Sequence, residues 1–281
     1  MATLTPTAKV LILLKRINVN GLYRKIETIL PPRIRSFLRG IINKQLFAPN
    51  VNEVEIKVKY TNALKLLSEK AGSENLGDYL EFGVSHGTSL ASMHSVLKKL
   101  ELDNVRIFGF DSFEGMPAGS ADEEGSMWTP GQFRSTIEQT KQFLNLNGID
   151  WKRTFLIKGW YSDTLTPALV AEHRIQKASV IMIDCDIYIS SRQALDFCTP
   201  LIKGEAVIFF DDWIEDKNVG ECRALDEFLK KNPSFSAREL DTYLPQGKIF
   251  LVEERYPLIV GMRVWVWVFP LRNLASLAPL R

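Results

Sequence analysis

Cysteine and histidine are both scarce, three of each in 281 residues. Cys185, Cys198 and Cys222 are an odd set with no close spacing, which excludes a disulfide framework and indicates no zinc site; a reducing, cytoplasmic setting is expected. His94 falls in a run of helical spacing over 88–100 and reads as packing or surface, His173 sits at a charged helix end, and only His86 occupies a loop of chemical interest. Long apolar runs are missing too. Val10-Leu-Ile-Leu-Leu14 is far shorter than the roughly 20 residues of a membrane span, and no small-residue cleavage pattern follows it, so neither a transmembrane helix nor a signal peptide is expected. No internal repeat or low-complexity tract is present. The Gly-x-Gly-x-x-Gly fingerprint is also absent, which disfavours a nucleotide-linked dehydrogenase.

Net charge is small, +2, but unevenly placed. Residues 1–50 hold nine Lys or Arg against the single acid Glu27, a net of +8 that leaves −6 for the rest. An acidic body argues against a nucleic-acid groove. The basic arm, broken by Pro31-Pro32, reads as two short amphipathic helices that pack on the body, on a second subunit of a homo-oligomer, or peripherally on an anionic membrane surface. The remaining 51–281, in a chain with 46% apolar and 24% charged residues, suit one large α/β domain.

That domain is organised around Asp78-Tyr-Leu-Glu-Phe-Gly-Val-Ser-His-Gly-Thr-Ser89: a buried strand, a glycine turn and a helix start, the cradle in which open α/β sheets hold nucleotide-like ligands. Glu81 is expected to point into it. A helix over 52–71 precedes it. Val105–Asp111 is a second strand ending in a carboxylate able to accept from two ribose hydroxyls, and 113–132, rich in Gly, Pro and acids, reads as a lid. Further strands are expected at Arg153–Lys158, Ala178–Asp184 and Glu205–Asp211, with helices between. Lys248–Val252 and Leu258–Phe269 are expected to close the sheet as an antiparallel hairpin, with Trp265 and Trp267 in edge packing or an oligomer contact. The layout is a Rossmann-like, mostly parallel seven-stranded sheet with helices on both faces, as in class I methyltransferases.

The sharper chemical signal is Asp184-Cys-Asp186 with Asp211-Asp212, 27 residues apart at the ends of consecutive parallel strands. Carboxylates crowded into one crevice repel, and a divalent cation with oxygen ligands, magnesium or calcium, relieves them. The plainer reading has Asp186 or Asp212 capping a helix.

Together, Glu81-Phe-Gly-Val…Gly-Thr-Ser89, Gly109-Phe-Asp-Ser-Phe-Glu-Gly-Met-Pro117, Ile183-Asp-Cys-Asp-Ile-Tyr188 and Phe210-Asp-Asp-Trp213 resemble the macrocin O-methyltransferase-like family over roughly residues 52–252. The resemblance implies S-adenosylmethionine and magnesium as cofactors, and methylation of a hydroxyl on a sugar or other small polyol-bearing natural product. It implies that Glu81, Gly83, Gly87, Ser89, Asp111 and Phe113 surround the adenosylmethionine, with Ser85 and Ser112 of the same loops as candidates. It further implies that Asp184, Asp211 and Asp212 hold the metal. Gly159 and Trp160 lie in the segment that resembles the family's adenine-side stretch, although Thr166 intervenes before Pro167 where the family has Leu-Pro directly. Asp184 and Asp186 both qualify as the base. The competing reading is a non-catalytic, membrane-docked or scaffold protein that keeps a nucleotide-like pocket.

Overall fold

The computed structural model describes residues 52–120, 128–243 and 246–255. The basic arm 1–50 and the expected strand Leu258–Phe269, with Trp265 and Trp267, lie outside the described residues.

Asn52 starts α1 (Glu53–Ala71) by accepting the Val54 N–H on Oδ1 at 3.1 Å, and Gly72 ends it at a φ of +86°. The chain then alternates through β1 (Asp78–Phe82), α2 (Thr88–Lys99), β2 (Ile107–Asp111), α3 (Ile137–Leu146), β3 (Thr154–Lys158), α4 (Tyr161–Thr164), α5 (Pro167–His173), β4 (Ala178–Ile183), α6 (Tyr188–Cys198), β5 (Glu205–Phe210), α7 (Gly220–Lys231), β6 (Phe235–Tyr243) and β7 (Gly247–Glu254). The sheet order is β3-β2-β1-β4-β5-β7-β6. β1 to β5 run parallel to one another, and β7 runs antiparallel to β5 and to β6.

β1 and β4 are buried along their whole length, as a parallel sheet covered on both faces requires. On one face Tyr60, Leu64, Leu90, Leu97 and Leu144 pack against Tyr79, Val180 and Phe209; on the other Leu195, Cys198, Leu225 and Phe228 pack against Phe82, Phe110, Ile181 and Phe210. Each such side chain contributes about 1.5–3 kcal/mol on burial.

The terminal hairpin exists, but its strands differ from those expected. β7 covers the anticipated 248–252, and its hairpin partner is the preceding Phe235–Tyr243. β6 escapes a pattern search because it is a polar edge strand: Arg238, Glu239, Asp241 and Thr242 are exposed, and only its end, Tyr243, is buried. Charged side chains of this kind blunt a sheet edge against further pairing. After β3 come two short helices, because Thr166 caps a new helix with Pro167 in its first turn.

The order reverses between β1 and β4: the chain builds outward through β2 and β3, then returns to the other side of β1. In open α/β sheets a crevice opens beyond the carboxyl ends of strands at such a switch point.

Candidate active site

A cavity of about 430 Å³ occupies this crevice. Its floor is made by residues just past four strands: Gly83 after β1, Asp111 and Ser112 at β2, Asp184 to Asp186 after β4, and Asp211 with Asp212 after β5. The backbone ladder continues one step beyond the strands, with Gly83 N–H donating to Phe110 O, Asp184 N–H to Phe82 O and Asp211 N–H to Ile183 O, all at 2.9–3.0 Å. The sheet itself therefore fixes these groups. Gly83 has a φ of +94°, and a Cβ there would collide with the Asp184 carbonyl, so only glycine lets β1 and β4 leave the sheet side by side.

Asp111 organises the glycine loop. Its Oδ2 accepts the N–H groups of Val84 (2.8 Å) and Ser85 (2.7 Å), and its Oδ1 accepts that of Phe113 (2.6 Å). A carboxylate has about four lone-pair positions. Three are filled by the loop, so the expected pair of ribose bonds reduces to one unless a loop amide lets go. Burial raises the Asp111 pKa, and the Ser85, Phe113 and Val84 amides oppose the rise. From the far side the loop is held by Ser135 Oγ (2.9 Å) and Thr140 Oγ1 (2.5 Å), which both donate to the Ser85 carbonyl.

Of the residues expected around a cofactor, Gly83, Ser85, Asp111, Ser112, Gly159 and Trp160 line the cavity; Glu81, Gly87, Ser89 and Phe113 do not. Glu81 lies on the same face of β1 as Tyr79 and sits beneath the first turn of α2, fully buried, accepting from Tyr79 Oη at 2.6 Å and from Ser89 Oγ at 2.7 Å. Tyr60 Oη joins the chain at 2.9 Å from Tyr79 Oη. Gly87 is the left-handed N-cap of α2, and Phe113 turns into the core. These residues support the cradle from behind. His86 does not line the cavity either, His94 accepts the Asp150 N–H, and His173 packs on Phe108 and Phe155.

The acidic residues do converge. One carboxylate oxygen from each of Asp184, Asp211 and Asp212 lies within 4.8 Å of the others. Burial, followed by the charges of Asp211 and Asp212, pushes the Asp184 carboxyl well above its ordinary value. Asp186, held at a φ of +62°, shares a hydrogen bond with Asp212 and is likewise raised, by burial first and then by the Asp212 charge. The donors are all hard oxygens, with no imidazole or thiolate in the trio, so the set fits magnesium or calcium better than zinc or copper.

Several wall residues were not singled out beforehand. Ile189, Ser190 and Gln193 reach the cavity from the first turns of α6, and Tyr161 from α4. The two arms of the expected lid supply Met116, Pro117, Trp128, Gln132 and Phe133, clamped together where Met116 N–H donates to Gln132 O and Gly131 N–H to Met116 O. Glu221 of α7 is the most informative omission. It is fully buried and accepts the Asp212 N–H at 3.0 Å. Its position in the stripe Glu221, Ala224, Leu225, Phe228 was readable as an acid at helical spacing on a face meant for the core.

Sheet order and crevice define a class I methyltransferase fold. The chain belongs to the family described as Macrocin-O-methyltransferase (TylF), whose model matches residues 49–235. It is 27% identical over 175 residues to the 8-demethyl-8-(2,3-dimethoxy-alpha-L-rhamnosyl)-tetracenomycin-C 4'-O-methyltransferase of Streptomyces olivaceus, and 25% identical over 178 residues to the demethyldecarbamoylnovobiocin O-methyltransferase of Streptomyces niveus. These matches take in 60% of this chain and 65% and 64% of the two relatives. Among solved structures, the O-methyltransferase NovP superposes with a TM-score of 0.54 at 22% identity, covering 71% of this chain and 80% of NovP. The calicheamicin methyltransferase CalS11 superposes with a TM-score of 0.57 at 18% identity, covering 91% of this chain and 95% of CalS11.

Proposed function

We propose that this protein is an S-adenosylmethionine-dependent, divalent-metal-assisted O-methyltransferase acting on a hydroxyl of a sugar-bearing small molecule. The convergence of Asp184, Asp211 and Asp212 in the cavity that also holds Asp111 and the glycine loop carries this reading. Family membership and the relatives' named activities on sugar-bearing natural products support it.

Asp111 offers its open lone pair to the cofactor ribose, while Ser85, Ser112, Gly159 and Trp160 shape the adenosyl end. The acid trio would hold magnesium, which when bound acidifies a hydroxyl of the acceptor. Asp186 or Asp184 takes the proton of the attacking hydroxyl as its oxygen bonds to the sulfonium methyl, whose bond to sulfur breaks with the electron pair staying on the leaving S-adenosylhomocysteine. The lid arms and the first turns of α6 exclude water and orient the acceptor, and such near-attack placement supplies up to about 7–11 kcal/mol of barrier reduction.

The test is methyl transfer from radiolabelled S-adenosylmethionine to a panel of deoxysugar-bearing aglycones. Transfer is expected, with loss on EDTA treatment and recovery on adding magnesium. Turnover indifferent to EDTA removes the metal from the proposal, and adenosylhomocysteine binding without transfer to any hydroxylated acceptor favours the scaffold reading.

A further inference from the structure

Glu221 contributes to the acidic crevice without lining the cavity. It enters from the first turn of α7 and is fully buried. One carboxylate oxygen, Oε2, accepts the backbone N–H of Asp212 at 3.0 Å; the other, Oε1, is buried and accepts no hydrogen bond. Asp212, Asp211 and Asp184 are the charges nearest it from the sheet side. A buried acid with one oxygen idle is costly unless the structure uses it, and Ala224, Leu225 and Phe228 show that the same helix face otherwise carries apolar groups.

We propose that Glu221 is a positioning residue that clamps the Asp211-Asp212 turn, so that both aspartates present their carboxylates to one cation. Asp212 follows the last residue of β5 by two positions, where the ladder to β4 ends with Asp211 N–H on Ile183 O. Beyond that bond, the Glu221 oxygen fixes the next peptide. Without it the Asp212 peptide loses its anchor and the side chain is held only from its far end, by Gln246 Nε2 at 2.8 Å and by the bond shared with Asp186, so its aim at the trio loosens. Ligand-supporting groups of this kind typically set metal affinity by 10–100-fold. The inference rests on the metal reading given above, and its test separates the two.

The experiment uses the full chain stripped with chelator, titrated with manganese by calorimetry, alongside hydrogen exchange at the Asp212 amide. Glu221→Met keeps the volume but removes the acceptor; manganese binding is expected to weaken about 10–100-fold, and the Asp212 amide to exchange faster. Glu221→Gln keeps an acceptor oxygen and is expected to preserve both. Equal losses in Met and Gln variants would show that charge, not the clamp, matters, and overturn the proposal; so would a Met variant identical to wild type. If the wild type takes up no manganese, the metal reading fails on its own, and the exchange data alone decide the clamp: unchanged protection in Glu221→Met overturns it.

Discussion

At Glu81 a carboxyl group that accepts two good hydrogen bonds is nevertheless pushed up to about 7, because complete burial outweighs the Tyr79 and Ser89 donors, and the Asp111 charge adds to the rise. The folded form therefore holds this proton more tightly than the unfolded chain between pH 4.5 and about 7. Stability from this group is greatest below that window and falls as pH rises through it, by about 3 kcal/mol in total. Urea denaturation of Glu81→Gln from pH 4.5 to 8 should show a flatter pH profile than wild type; an identical slope would contradict the assignment. Gly83 is a second residue-scale test. Gly83→Ala forces a Cβ against the Asp184 carbonyl, and is expected to lower the melting temperature and abolish adenosylhomocysteine binding, read by thermal shift. Gly119→Ala, where an added Cβ meets nothing within 4 Å, should behave as wild type.

Among the elements, α3 does more than cover the sheet. Thr136 and Gln139 form a reciprocal capping box at its start, and Ser135 and Thr140 on either side grip the glycine loop through Ser85. Thr136→Ala is expected to cost about 1 kcal/mol in urea denaturation, with weaker adenosylhomocysteine binding because the loop's outer anchor loosens; stability lost without any change in binding would confine α3 to a structural part. How much of this was legible varies with the element. β2, β4 and β5 announce themselves as short apolar runs ending in acids, and that pattern alone brings Asp111, Asp184, Asp211 and Asp212 to one rim. β6 stayed hidden because the exposed Arg238, Glu239, Asp241 and Thr242 of this edge strand break the apolar alternation that marks a strand. Glu81 was misplaced toward the cavity because period-two alternation gives the face of a strand but not which helix roofs it. The grip of α3 on Ser85 and of Glu221 on Asp212 joins positions 55 and 9 residues apart through backbone atoms, so even where Glu221 stands out as an acid on an apolar helix face its partner leaves no mark in side-chain pattern.

At the scale of the whole molecule, the reversal of strand order beside β1 places the glycine loop and Asp111 on β1 and β2 and the acids on β4 and β5, across one crevice. Among the described residues no helix is long and apolar enough to cross a membrane, and for the +8 arm, residues 1–50, we propose contact with a second subunit or an anionic surface. Deleting it should abolish sedimentation with phosphatidylserine vesicles if the surface reading holds, and change the oligomer mass in light scattering if the subunit reading holds. The central claim, that the aspartates at the ends of β4 and β5 share one cation, is tested most directly by titrating manganese into chelator-stripped protein in a calorimeter. Wild type should bind one ion per chain, and Asp184→Asn and Asp211→Asn should each lose that binding. A wild type that takes up no ion, or variants that bind it unchanged, would contradict the account.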